Sequence, residues 1–212
     1  MLIAFDFDGT LSDSEMTVLL AEEAGVAEEV ADITERAMND EISYAESLYQ
    51  RAELLYRLPE EKVERAFSKV ELRPGADEVI AALREAGHHV AILTGGFDAG
   101  VAAALERHDV SVDTIVANRL PLRYGRLTGD AEGPLIEGTK DEALEDLAAE
   151  VGVAMAETVA IGDGANDLPM LEVAGLAVGY APKDAVAPHC DVIVTSMTEL
   201  QEVLASEGVF SG

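Results

Sequence analysis

Two aspartates one residue apart, Asp6 and Asp8, close a short apolar run at the start of the chain, and a second pair, Asp163 and Asp167, follows another such run. Carboxylates gathered at the mouth of a buried strand repel one another, and burying them without a counter-charge is costly, so the pattern calls for a cation. Oxygen ligands of this kind, few in number and placed where a phosphate can share the ion, suit Mg²⁺. Gly162 and Gly164 permit a tight turn, and Asp163 and Asp167 lie one helical turn apart and so converge. Between the two pairs stand anion binders. Thr94-Gly95-Gly96 offers a hydroxyl and two unhindered amides just before a helix opening near Asp98, a cradle for phosphate. Lys140, one of only four lysines, opens a helix at the end where the dipole disfavours a cation, a conflict that a nearby anion would resolve. Each piece alone also fits a solvated turn or a surface lysine; their combination points to phosphoryl chemistry.

The elements that must hold these residues follow from the hydrophobic pattern. Residues 1–7, 89–94, 114–117, 158–161, 176–179 and 191–195 read as strands, most of them separated by helical patterns. The helix over 76–86 places Val79, Ile80, Leu83 and Ala86 on one face and ends at Gly87, and that over 140–151 places Leu144 and Leu147 together and ends at Gly152. The alternation predicts an α/β, Rossmann-like doubly wound parallel sheet, whose ligands sit outside the carboxyl ends of the strands. About sixty residues after the first strand lack strand patterning and carry helical stretches over roughly 14–24, 27–39 and 43–58. They predict an inserted helical cap at 14–70 on a core of 1–13 and 71–212. A smaller insertion, 120–134, contains Tyr124-Gly125-Arg126 between extended residues and predicts a β-hairpin.

The 212 residues carry 26 Glu and 16 Asp against 10 Arg and 4 Lys, a formal charge of −28. That charge excludes electrostatic capture of nucleic acid or an anionic membrane. With 49% apolar residues the chain can bury a full core. Its apolar runs are of strand length, its N-terminus lacks the basic segment of a signal peptide, and its lone cysteine, Cys190, reads as a small buried hydrophobe. These features predict a cytoplasmic protein; the expected partner is a small-molecule substrate, with monomer and homodimer both left open. Acids spread along the whole chain and depleted of lysine suggest a hydrated surface adapted to molar salt, where the Debye length shrinks to about 3 Å. The protein is expected to unfold as salt is withdrawn; circular-dichroism melts that coincide in low and molar KCl would refute this.

In this order the motifs, Asp6-x-Asp8-x-Thr10, Thr94, Lys140 and Gly162-Asp163-Gly164-x-x-Asp167, resemble those of the haloacid dehalogenase superfamily of phosphohydrolases. The likeness extends through Glu15, the 44–58 helix, Ala117-Asn118-Arg119-Leu120 and Leu127-Thr128-Gly129 to nearly the whole chain, which is similar to the phosphoserine phosphatase branch. The resemblance implies that Asp6 attacks phosphorus to form an aspartyl-phosphate and that Asp8 protonates the leaving oxygen, then deprotonates water. It implies Mg²⁺ held by Asp6, Asp163 and the main-chain carbonyl of Asp8, with Asp167 supporting through the ion's water. Lys140 and the Thr94 hydroxyl would stabilise the transferring group, with amides of Gly9 and of Gly95 or Gly96 adding fixed dipoles.

Substrate choice must come from the cap. Tyr44, Leu48, Arg51 and Leu55 share one helical stripe, and the i±3 and i±4 neighbours of Arg51 include no acid, so this arginine is free to fork onto a ligand carboxylate, to snorkel to solvent or to pair with another acid of the cap. In the resembled enzymes the matching arginine binds the substrate carboxylate. Glu15 fits a receiver for an ammonium group, although Ser12-x-x-Glu15 also fits a capping box. By the same resemblance Met38 and Tyr44 close over the substrate and Asn166 contacts it. Thr94 stands where serine is usual and Tyr44 where phenylalanine is common. Transfer to another acceptor such as homoserine, another small phosphomonoester, and a receiver-like signalling module remain as alternatives, the last disfavoured by Asp8 and the cap.

Overall fold

Alternate residues of a strand face opposite sides of its sheet, and the first strand, β1 (Leu2–Phe5), uses both faces: Ile3 and Phe5 enter one apolar cluster and Leu2 and Ala4 another. Such two-sided burial is what turns a parallel strand into an uninterrupted apolar run. The computed structural model describes residues 1–39, 41–137 and 139–210, so the end of the expected 71–212 range lies outside the described residues.

β1 is flanked by β2 (His89–Phe97) and β6 (Thr158–Gly162), with β3 (Thr114–Asn118) beyond β2, and β7 (Leu176–Tyr180) and β8 (Val192–Val194) beyond β6. All five pairings of this six-stranded sheet are parallel. α5 (Ala76–Glu85), α6 (Asp98–Arg107) and α9 (Met197–Ser206) bury their apolar stripes on the Phe5 face, and α7 (Lys140–Val151) and α8 (Leu168–Val173) on the Leu2 face. This is the expected doubly wound α/β architecture. The order reverses at β1, so the crevice beyond its carboxyl end is the place where a ligand fits.

Four helices intervene between β1 and α5: α1 (Met16–Ala24), α2 (Ala27–Met38), α3 (Tyr44–Leu54) and α4 (Glu60–Phe67). Leu20, Leu48, Leu55 and Phe67 join the same apolar cluster as Phe5, so α1, α3 and α4 share a core with one face of the sheet. The chain enters and leaves this segment side by side: Ser12 bridges Leu72 antiparallel, its hydroxyl donates to the Glu71 carbonyl at 2.7 Å, and the Glu71 amide donates to Ser14 Oγ at 3.3 Å.

Two local expectations differ. The helix predicted over 43–58 stops at Leu54, and a separate α4 follows. Tertiary pairing wins there, because the hairpin β4 (Leu122–Arg123) and β5 (Arg126–Leu127) takes the backbone: Arg57 N donates to Leu127 O, Leu127 N to Leu58 O and Glu60 N to Gly125 O, each at 3.0 Å. Nor does Ser12 form a capping box with Glu15. α1 begins at Met16 with Glu15 as its N-cap residue, without a side-chain cap bond, while Ser12 is engaged by Glu71 and Ser14.

Candidate active site

Every core residue singled out by the sequence lies at the carboxyl edge of the sheet. Asp6 follows β1 and is anchored by its amide on Ile161 O at 2.8 Å; Asp163 follows β6 directly. Lys140, the first residue of α7, extends its Nζ to Asp6 Oδ1 and Asp167 Oδ1, both at 2.5 Å, and all three side chains are buried. The two aspartates are the anions that reconcile a lysine with a helix N-terminus. Asp167 Oδ2 in turn accepts the amides of Asp163 and Gly164, each at 2.9 Å. Oxygens of Asp6, Asp163 and Asp167 lie within 4.8 Å of one another, a hard, all-oxygen donor set suited to a divalent cation.

Two glycines allow the close approach. Gly9 has φ of +92°, and a Cβ there would meet the Asp163 carboxylate at 2.5 Å; at Gly96 a Cβ would lie 2.8 Å from Asp8 Oδ2 and 3.1 Å from Thr94 Oγ1. Asp8 thus abuts the Thr94 turn. The buried Thr94 Oγ1 accepts the Gly96 amide at 2.9 Å, which leaves its own proton to donate. This bond and that of Gly9 N to Ser12 O at 2.8 Å engage the Gly96 and Gly9 amides inside their turns, which corrects the expectation for Gly9 and leaves Gly95 as the alternative to Gly96.

The electrostatics reflect four carboxylates around one ammonium. Burial, reinforced by Asp167, pushes Asp6 up to about 8 against the pull of Lys140. Burial and then Asp6 raise Asp8 well above the usual carboxylate range, and burial and then Asp167 raise Asp163. Burial favours a neutral Lys140, but Asp167 and Asp6 outweigh it and hold the ammonium charged. Asp8 Oδ1 is buried with no partner. An excess of crowded carboxylate among Asp6, Asp163 and Asp167 is what a bound dication relieves, so the residues present fit a divalent cation.

From the helical segment Arg51 reaches this region without a carboxylate in ion-pair range among the described residues; its Nε donates to Ser47 O at 3.2 Å and its Nη1 to Thr17 Oγ1 at 3.3 Å. Burial lowers its pKa, and the charges of Glu15 and Asp8 act on it from nearby. Glu15 is exposed and close enough to act on Asp8 and Asp163 as well. Tyr44 Oη donates to Gly95 O at 3.1 Å. Ser43, Tyr44, Gly95, Thr139, Lys140 and Asn166 line a cavity of about 290 Å³. Met38 is not brought in: it is 71% exposed at the end of α2 and lies outside that lining.

The sequence assigns Asn118 no role, yet its buried carboxamide donates to Gly95 O at 3.0 Å and accepts Leu135 N at 3.0 Å, tying the Thr94 turn to the segment that leads to Lys140. No spacing signal exposes such a link, since its partners are 17 and 23 residues away.

An acidic cluster and buried lysine at the switch point of a doubly wound sheet, with helices inserted after the first strand, define a phosphohydrolase of the haloacid dehalogenase type. The chain belongs to the haloacid dehalogenase-like hydrolase family, whose profile matches residues 3–172. A phosphoserine phosphatase of Halobacterium salinarum is 52% identical over 98% of this chain and 99% of its own. Two solved structures superpose with TM-scores of 0.87 at 40% identity. One is a phospho-aspartyl intermediate analogue of phosphoserine phosphatase, with 95% of this chain and 97% of that one covered; the other is a substrate-bound phosphoserine phosphatase, with 97% of each covered. Among the described residues no helix is long and apolar enough to cross a membrane.

Proposed function

We infer that the chain is a phosphoserine phosphatase, hydrolysing O-phospho-L-serine to serine and inorganic phosphate. The observation that carries the reading is the buried Asp6–Lys140–Asp167 cluster beside Asp8 and Thr94, overlooked by an arginine without an acid partner.

An Asp6 carboxylate oxygen attacks phosphorus in line, the bond from phosphorus to the serine oxygen breaks, and Asp8, kept protonated by burial and by Asp6, gives its proton to that oxygen. Asp8 then takes a proton from water as the water attacks the aspartyl-phosphate, the bond to Asp6 breaks, and both groups are restored. Lys140 and the Thr94 proton stabilise charge on the equatorial oxygens. Asp6, Asp163 and the Asp8 main chain would hold Mg²⁺, with Asp167 supporting; when bound, the ion neutralises nucleophile and phosphate and keeps Asp6 ionised at neutral pH.

The helices of 14–70 act as a cap on the core of 1–13 and 71–212. Arg51 binds the substrate carboxylate, Glu15 its ammonium group, and Tyr44, Gly95 and Asn166 bound the pocket, with Gly96, outside that lining, holding the Thr94 turn through its amide, while Met38 meets the substrate only if the cap shifts. The acidic surface is that of a protein working in concentrated salt inside the cell.

The test is phosphate release from L-phosphoserine, against a panel of phosphomonoesters, in molar KCl with Mg²⁺. A charged hydrogen bond contributes about 1.5–3 kcal/mol, so Arg51→Ala should lower kcat/KM for phosphoserine by roughly 10- to 150-fold and leave an aryl phosphate nearly unaffected. Equal losses on both substrates would refute carboxylate recognition. Comparable activity on other esters in the unmodified protein, or none on phosphoserine, would retain the phosphoryl-transfer core and remove the reading of Glu15 and Arg51.

A further inference from the structure

In a chain with 42 acids and 14 lysines and arginines, a cation that engages no acid needs a reason. Among the described residues Arg73 has no carboxylate within ion-pair distance; its Nη2 instead donates to the carbonyl of Gly9 at 3.0 Å, immediately after Asp8. Its guanidinium lies over the ring of Tyr180, 5.1 Å from the centroid, and its Nε is buried without a partner. Its own amide donates to Leu11 O at 2.8 Å. The side chain therefore grips the acidic loop at Gly9 and the backbone grips it again at Leu11, directly after the returning connection at Leu72.

The gripped peptide is one on which the site depends. Gly9 lies in the left-handed region with the Asp163 carboxylate against its Cα, and the next residue, Thr10, directs Oγ1 to Asp163 Oδ1 at 3.4 Å. Rotation of the Gly9–Thr10 peptide would swing Thr10 away from Asp163 and turn Asp8 on its other side. A carbonyl fixed by a planar guanidinium that an aromatic face holds in place resists that rotation more than one bonded to water.

We propose that Arg73 is a positioning residue: through the Gly9 carbonyl it sets the conformation of the loop bearing Asp6 and Asp8, and so the rate of the chemical step rather than the hold on substrate. The proposal rests on the phosphoryl-transfer reading above. It differs from the Arg51 role in being blind to the alcohol part of the substrate.

The test compares Arg73→Met, which keeps the apolar stem and loses the donor, with Arg73→Lys, which keeps a donor. Each is assayed at saturating Mg²⁺ on phosphoserine and on 4-nitrophenyl phosphate, with thermal melts and hydrogen-exchange mass spectrometry of the peptide covering residues 6–12. Partners that orient reactive groups from behind contribute about 10- to 100-fold. Arg73→Met should lose at least tenfold in kcat on both substrates with KM nearly constant and the melt preserved, its 6–12 peptide should exchange faster, and Arg73→Lys should recover part of each. Unchanged kcat and exchange, or a kcat loss that merely follows the unfolded fraction, would overturn the proposal. Loss on the aryl phosphate by a protein inert toward phosphoserine would uphold Arg73 and refute the substrate. If neither ester is turned over, the phosphoryl-transfer reading and the catalytic half of the proposal fall together, and the exchange result alone decides whether Arg73 orders the loop.

Discussion

Replacing Asp6 by asparagine is expected to stop turnover while leaving the fold intact. Asparagine matches aspartate in shape and can still meet Lys140, but its amide is no nucleophile, so no aspartyl-phosphate forms. Removing a covalent nucleophile from other enzymes costs on the order of 10⁶ in kcat, and a loss of about 10⁴-fold or more is expected here in phosphate release, together with loss of acid-stable label from ³²P-labelled substrate. The melt should not suffer. Burial and Asp167 oppose the charge on Asp6, so a neutral side chain removes a penalty from the metal-free protein even as it loses one attraction to Lys140. Phosphate release within tenfold of the unmodified protein would eliminate Asp6 as the nucleophile; an unfolded variant would show the pairing with Lys140 to be worth more than that penalty.

Lys140→Met is expected to do the opposite, harming stability as well as rate. Methionine fills the space of the lysine stem, but Asp6 and Asp167 then face each other in the interior with their shared ammonium gone. Breaking a buried ion pair by removing one partner costs about 3–5 kcal/mol, which for a chain of this size lowers the melting midpoint by roughly 10 °C. The loss should be largest in chelator and smaller in Mg²⁺, because a dication supplies the positive charge that the variant lacks. Turnover should fall about 10²- to 10³-fold even with Mg²⁺ saturating, the cost of one lost donor to the transferring group. Equal melting losses in chelator and in Mg²⁺ would show that the ion does not share the Asp6–Asp167 site.

The proposed substrate specificity depends on a contrast already visible in the inserted helical segment. Arg51 is half-buried and bonds only to a carbonyl and a hydroxyl, with no carboxylate in ion-pair range among the described residues. Glu15 presents the opposite charge from the end of the first connection. An amino acid carries both complements, and an aryl phosphate carries neither.

What could be read from the residues in order was whatever depends on short spacing. Strand-length apolar runs ending in acids, glycines beside them, Asp163 and Asp167 four residues apart, and an arginine on an apolar helical stripe are all local periodicities, set by 2.0 and 3.6 residues per repeat. They sufficed for the doubly wound sheet, the helical insertion, the hairpin and the cluster of core acids. Contacts between distant segments were decided only when the chain closed on itself. Lys140 meets Asp6 across 134 positions, Arg73 meets Gly9 across 64, and the hairpin captures residues 57–60 and so ends the helix expected over 43–58 at Leu54. Closure also left Met38 outside the pocket, whereas the amides of Gly9 and Gly96 are spent on partners three and two residues away, in turns that no hydrophobic period encodes. The reason is physical: periodicity determines which face a side chain presents, whereas the partner that satisfies a buried charge or amide is fixed by packing among segments far apart in the chain.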